Sequence, residues 1–332
     1  MGSQIVERLR ADVAALIATF EDRRVGSAGH LAAREWVHQR LREVGLTPYK
    51  DGEYVLPYGP QPHGAGPGNQ FANVVGVVPA APGSDPAAKP WVLGAHYDTV
   101  PFTPGADDNA ASVAVALEVA ARLLERPVSR PVVVPIFDAE EPPYFHTELM
   151  GSVRFVEDHI GRNVHAAVIL DLIAHAVPAP GLEHLVGLMG AESHPAWADS
   201  VRAVAQEFGP VISLPNEIMA DMSDHYAFRR AGLPFMFASS GQGTHYHMPT
   251  DTVENLDLNK AARVADLVEG LIRGADAVPF GGAQPHDTSQ LDHDLLLALL
   301  GPAGLAGLGI NSSADVRAGL RRLVGVLLQP GR

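Results

Sequence analysis

Short apolar runs that do not alternate with polar residues recur along this chain, and each ends in a carboxylate or an imidazole. Residues 91–95 lead into His96, residues 131–137 lead into Asp138-Ala139-Glu140-Glu141, and residues 166–170 lead into Asp171. Runs of this kind mark strands covered on both faces. Between them, residues 110–124 and 151–159 carry apolar positions at helical spacing. The alternation predicts an α/β chain, a three-layer α/β/α sandwich with a mixed, mostly parallel central sheet. Further strands are predicted over 71–78, 185–189 and 233–238, and helices over 195–208, 223–232 and 258–272. Two amphipathic patterns precede any strand: residues 4–20 (Leu9, Val13, Leu16) and 31–44 (Val37, Leu41), the latter stopped by Gly45. They read as a cover over one sheet face. The stretches 57–68 and 80–90, rich in Pro and Gly, read as loops.

Residues 1–275 are read as one catalytic domain and 276–332 as a helical C-terminal extension, joined by a Gly/Pro linker. In the last helix, opened by Ser312 or Ser313, residues Val316, Leu320, Leu323, Val324 and Leu327 share one face. That stripe is expected to dock on the domain, with a homo-oligomer contact as the alternative. A formal charge of −14 argues against nucleic acid or an anionic membrane as partner. No apolar run is long enough to span a bilayer, and no charged segment followed by an apolar one opens the chain, so a cytoplasmic location is expected, or a secreted one if a leader precedes. The lack of cysteine removes thiolate ligands and thiol nucleophiles from consideration.

In open α/β sheets ligands bind beyond the carboxyl ends of the strands. His96, Asp98, Asp108, Glu140, Glu141, Asp171 and His247 all lie at or just after such ends. Imidazoles and carboxylates without thiols suit a borderline or hard divalent ion, zinc first, with Mn2+ or Co2+ as alternatives. A two-metal arrangement needs a bridging group besides its terminal ligands, and it activates water for hydrolysis.

The patterns Gly94-Ala-His-Tyr-Asp98, Gly105-Ala-Asp-Asp-Asn109, Phe137-Asp-Ala-Glu-Glu141 followed by Met150-Gly-Ser152, Leu170-Asp-Leu172, Ser223-Asp-His225 and Tyr246-His-Met-Pro-Thr-Asp-Thr252 occur in order. The chain thereby resembles the co-catalytic zinc exopeptidase family of bacterial leucyl-type aminopeptidases, glutamate carboxypeptidase and glutaminyl cyclases. The resemblance spans roughly residues 1–275 and implies a metal-dependent exopeptidase. The expected activity is that of an aminopeptidase, acting on a peptide or small amide, with a glutaminyl-cyclase-like aminoacyltransferase as the alternative. It also implies two zinc ions per chain, one held by His96 and Asp171, the other by Glu141 and His247, with Asp108 bridging and a cis peptide after it. Asp98 is then expected to orient His96, Glu140 to be the general base and Tyr246 to donate to the oxyanion. Ser223-Asp224-His225 is read as cap and support, Asp107 and Asp251 as structural turn carboxylates, and His63 and His245 as loop residues.

Loops beside the site set specificity. The segment between Glu141 and Gly151 is longer than in the simplest aminopeptidases, and Tyr144, His146 and Leu149 are its candidate pocket residues. No Arg occurs in 142–150, 177–182 or 239–246, which leans toward recognition of an amine rather than a carboxylate.

Overall fold

The computed structural model describes residues 2–18, 22–60 and 71–327. The helices are α1 (Gly2–Ile17), α2 (Ala28–Val44), α3 (Ala111–Glu125), α4 (Gly151–Phe155), α5 (Trp197–Phe208), α6 (Asn216–Met219), α7 (His225–Arg230), α8 (Leu258–Ala275), α9 (Ser289–Gly307) and α10 (Val316–Leu327). The strands are β1 (Thr47–Pro48), β2 (Val55–Tyr58), β3 (Phe71–Val78), β4 (Trp91–His96), β5 (Val132–Phe137), β6 (Ala167–Leu170), β7 (Val186–Met189), β8 (Val211–Leu214) and β9 (Phe235–Ser239). They form one sheet in the order β1-β3-β5-β4-β6-β9-β7-β8, with β2 also paired to β3. The centre, β5-β4-β6-β9, is parallel, and antiparallel pairings flank it at β3 and β7.

Both faces of this sheet are covered, which explains the unalternating runs. Leu93, Ala95, Val134, Ile136, Val168 and Leu170 point into one core with α1, α2, α3, α5 and α8. Val92, Val133, Phe137, Ala167 and Ile169 point the other way, against α4 and α7. The three predicted layers are therefore present, and α1 and α2 do cover one face. Gly45 ends α2 in the left-handed region at φ 98°, where its amide N–H reaches the carbonyls of Leu41 and Arg42.

Three strands escaped the sequence reading, and the shortest, β1, has only two residues. Residues 55–58 were expected partly as loop because of Pro57, yet they pair with β3 as β2. This strand lies at the side of the sheet, where a missing N–H is tolerated. Strand β8, Val-Ile-Ser-Leu, is only four residues long and carries no period to read. Residues 61–70, including His63, lie outside the described residues.

In the extension, the cap expected at Ser312 or Ser313 falls on Ser312, which forms a capping box with Asp315. Val316 and Leu320 are completely buried, packed with Leu185, Ile212 and Leu296. Each such side chain contributes roughly 1.5–3 kcal/mol, so this face of α10 is held against the β8 edge. The side chain of Leu327 lies outside the described residues. Among the described residues no helix is long and apolar enough to cross a membrane.

Candidate metal centre

The carboxyl ends of β4, β5 and β6 and the loop after β9 converge on one point. Asp108, at the turn into α3, turns its two oxygens in different directions: Oδ1 lies 3.4 Å from His96 Nε2 and Oδ2 lies 3.2 Å from His247 Nε2. Asp171 Oδ1 is 3.7 Å from the same His96 nitrogen, and Glu141 Oε2 is 3.3 Å from the His247 nitrogen. Two ligand sets result, His96–Asp108–Asp171 and Asp108–Glu141–His247, each with its atoms within 4.8 Å of one another. The sets share Asp108. Asp107 belongs to neither.

The donor chemistry fits a cation. His96 Nε2, His247 Nε2, Glu141 Oε1 and Asp171 Oδ1 are buried and have no hydrogen-bond partner among the described residues. Orphaned polar atoms cost about 1–3 kcal/mol each, and a divalent ion satisfies all four. Charge points the same way. Burial first, then repulsion from Asp108, pushes the Glu141 carboxyl up to about 8, and burial raises Glu140 and Asp171 as well. For His247 burial favours the neutral ring, but Asp108 and Glu141 outweigh it and raise the imidazole to about 10. This many acids in one dry place favour added positive charge.

Several supports were not legible in the sequence. Asp98 was expected to orient His96 through its carboxylate. Instead His96 Nδ1 lies closer to the Asp98 main-chain carbonyl (3.2 Å) than to its carboxylate (3.5 Å). Because a carbonyl only accepts, Nδ1 carries a proton there, and Nε2 is the nitrogen turned to the cluster. The Asp98 carboxylate accepts the main-chain N–H of Glu140 and that of Glu141, both at 3.0 Å. It fixes the turn that presents both glutamates.

Asp251 does the same for the other side, accepting the N–H groups of Asp107 and Asp108 at 2.9 and 3.1 Å. Asp107 accepts from Ala174 N (2.7 Å) and pairs with His175 Nδ1 (2.6 Å). Both acids are structural, as read, but both are buried rather than solvated turns. Arg23, fully buried, donates to the carbonyls of Tyr97, Pro104 and Gly105 and so clamps the loop from His96 to Asp108. Nothing periodic marks it in the sequence. Asp224 is also fully buried, and its side chain does not cap α7, contrary to the cap expected of it. His245 stays in its loop, within 2.9 Å of Thr250 Oγ1.

Ala139, Leu172 and His247 adopt left-handed φ values of 55–57°. Such residues cost of order 1–3 kcal/mol each and persist where surrounding structure over-determines them. The peptide between Asp108 and Asn109 is cis, as the resemblance implied.

A model of peptidase family M28 matches residues 73–272. The chain belongs to peptidase family M28. All the candidate ligands fall inside the M28 match, whereas α1, α2, α9 and α10 fall outside it. Aminopeptidase YwaD of Bacillus subtilis is 29% identical over 188 residues, which cover 54% of this chain and 39% of that one. The chain spans between 38% and 65% of the length of the curated relatives it matches. Among solved structures, BSAP, a zinc aminopeptidase from Bacillus subtilis, superposes with a TM-score of 0.64 at 15% identity, covering 83% of this chain and 98% of that one. A glutaminyl cyclase from Tannerella forsythia also gives 0.64, at 18% identity, covering 81% and 98%. The fold is therefore the M28 α/β fold.

A cavity of about 300 Å³ opens beside this cluster of candidate ligands and is lined mainly by apolar side chains. From the longer loop its lining residues are Pro142 and Phe145, not Tyr144, His146 or Leu149. Tyr144 and Leu149 pack with Tyr58 and Phe71, while His146 stacks between Phe145 and Tyr226. Tyr246 also lines the cavity and stacks on His247, with centroids 3.8 Å apart. Burial and the nearby Asp108 and Glu141 raise its phenol above the usual range, which keeps it a proton donor. A second cavity of about 430 Å³ shares Glu141 and Pro142 and brings in Arg24. That arginine comes from the N-terminal segment, outside residues 142–150, 177–182 and 239–246.

Proposed function

We propose that this chain is a zinc-dependent aminopeptidase that releases the N-terminal residue of a peptide or of a related small amide. The observation that carries this reading is the division of Asp108, one oxygen toward His96 and the other toward His247. His96 and Asp171 would hold one ion, Glu141 and His247 the other, and Asp108 would bridge. When bound, such a pair polarises the scissile carbonyl and acidifies water at the centre. Glu140, buried 3.8 Å from His96 Nε2, belongs to neither ligand set. It is free to take a proton from the attacking water and pass it to the leaving amine. Asp98 holds Glu140 in place through its main chain. Tyr246 supplies a phenol hydrogen to the carbonyl oxygen as charge develops there.

A second reading, cyclisation of an N-terminal glutamine, is supported by Leu170-Asp171-Leu172-Ile173 and by the fold shared with glutaminyl cyclases. One experiment separates them. Zinc per chain is measured, and aminoacyl-anilides, C-terminally blocked peptides and glutaminyl peptides are offered with and without a chelator. The aminopeptidase reading expects about two ions, amine release from anilides, and loss of activity on chelation. Glu140→Gln should keep its zinc and lose roughly 10²–10⁴ in kcat. One ion per chain with ammonia released only from glutaminyl peptides would establish the second reading. Activity that survives chelation overturns both.

A further inference from the structure

We infer that α10, the helix beyond the M28 match, is the specificity-determining wall of the substrate pocket and selects a large apolar side chain on the N-terminal residue. The inference rests on the aminopeptidase reading and adds a substrate class to it.

The cavity begins at Glu140, Glu141, Asp171 and His247 and reaches Leu323 and Val324 of α10. The strand order explains the path. From β6, which presents Asp171, the sheet steps through β9, β7 and β8 to the edge where α10 sits. Phe237, Met189 and Ile212, one from each of those strands, line the way. A single helical stripe then does two things. Val316 and Leu320 are fully buried against the domain, and Leu323 and Val324, seven and eight residues after Val316 on the same face, are only half-buried and border the cavity. The part of the stripe the core does not cover is the part that faces the pocket.

Polarity narrows the occupant. Away from the ligand cluster, the acidic side chain lining the cavity is Asp221. Its carboxylate is tied to Arg229 Nε at 2.6 Å and to Asn216 Nδ2 at 3.1 Å. Arg229 and Asn216 overcome the effect of burial and hold it below the ordinary carboxylate range. It therefore offers no unpaired charge to a basic side chain. A volume of about 300 Å³ lies at the small end of ligand pockets, which span ~300–1,000 Å³. Within such a space, moving one wall decides which side chains fit.

The test compares the zinc-loaded wild type with Val324→Phe and Leu323→Ala on alanyl-, leucyl- and phenylalanyl-anilides, with calorimetric binding of phenylalaninol on the same proteins. Filling the wall with Val324→Phe should lower the Phe-to-Ala ratio of kcat/KM about 10- to 100-fold, the range a few methylene-sized contacts command. Leu323→Ala should shift preference toward longer side chains. Equal losses on every substrate would mean that α10 only stabilises the fold, and unchanged ratios would mean that it does not face the substrate; either overturns the inference. If the wild type cleaves no anilide but binds phenylalaninol, and Val324→Phe abolishes that binding, the wall stands and the aminopeptidase reading falls. If the wild type neither cleaves nor binds, both fall.

Discussion

Asp98→Asn separates two accounts of what this buried acid does. The substitution preserves shape but replaces one acceptor oxygen with a donor NH2. The native carboxylate accepts two main-chain N–H groups, from Glu140 and Glu141, both at 3.0 Å. The amide can accept only one and confronts the other with a second donor. The loss is one charge-assisted bond plus an orphaned N–H, about 2–4 kcal/mol. The preceding Ala139 sits at φ 55°, a left-handed conformation that costs an alanine ~1–2 kcal/mol. Once one restraint is gone, relaxing that strain becomes competitive with keeping the remaining bond. The turn should then shift and carry Glu140 and Glu141 with it. A displacement near 1 Å is enough to cost roughly 10² in rate. The expected result is a ~100-fold fall in kcat, a urea unfolding free energy lower by about 2–4 kcal/mol, and weaker zinc beside Glu141 and His247, located by anomalous diffraction. If Asp98 instead served mainly His96, the weakened ion would lie beside His96 and the glutamates would stay in place. That pattern, or wild-type kinetics, refutes the reasoning.

Two further perturbations probe the scaffold. Lys260 is fully buried, its ammonium donating to the carbonyls of His175 (2.8 Å) and Glu183 (3.3 Å), and burial lowers its pKa to about 8. The unfolded value is ~10.4, so between these pH values the unfolded chain binds more protons and stability rises with pH, by up to about 3 kcal/mol. The stability of the wild type relative to Lys260→Met, from urea titrations at pH 7 and pH 10, should move in favour of the wild type; a difference flat in pH contradicts this. Gly151 has no room for a side chain, since a Cβ there would collide with the Asp138 carbonyl oxygen and with Asn73 Oδ1. Gly151→Ala should cost about 3 kcal/mol or more by forcing the start of α4 off the end of β5, read as a lower urea midpoint; a midpoint within error of wild type would show that the contact is not rigid.

The sequence by itself determined the layers and the strand ends at which acids and imidazoles stand. Whether a strand is covered on both faces is written in consecutive residues, so β4, β5 and β6 were readable from their unbroken apolar runs, and the acids at their ends were readable with them. Other features were settled only by the tertiary structure. Asp107 and Asp108 are indistinguishable as neighbours in a Gly-bounded loop; Asp251, 143 positions further along, holds their amides and turns one inward and the other toward His175. Asp98 looked like a partner for the nearest histidine, yet its carboxylate reaches Glu140 and Glu141 across 42 and 43 residues. Arg23 has no pattern around it to mark its burial beneath the loop it clamps. Strand β8 is too short to show a period, and without it nothing indicates that α10 comes to rest against the pocket. Periodicity and strand ends are local properties of the chain. Which two oxygens of one carboxylate face which two imidazoles depends on the mutual packing of β4, β6, α3 and the loop after β9, and no single stretch encodes that.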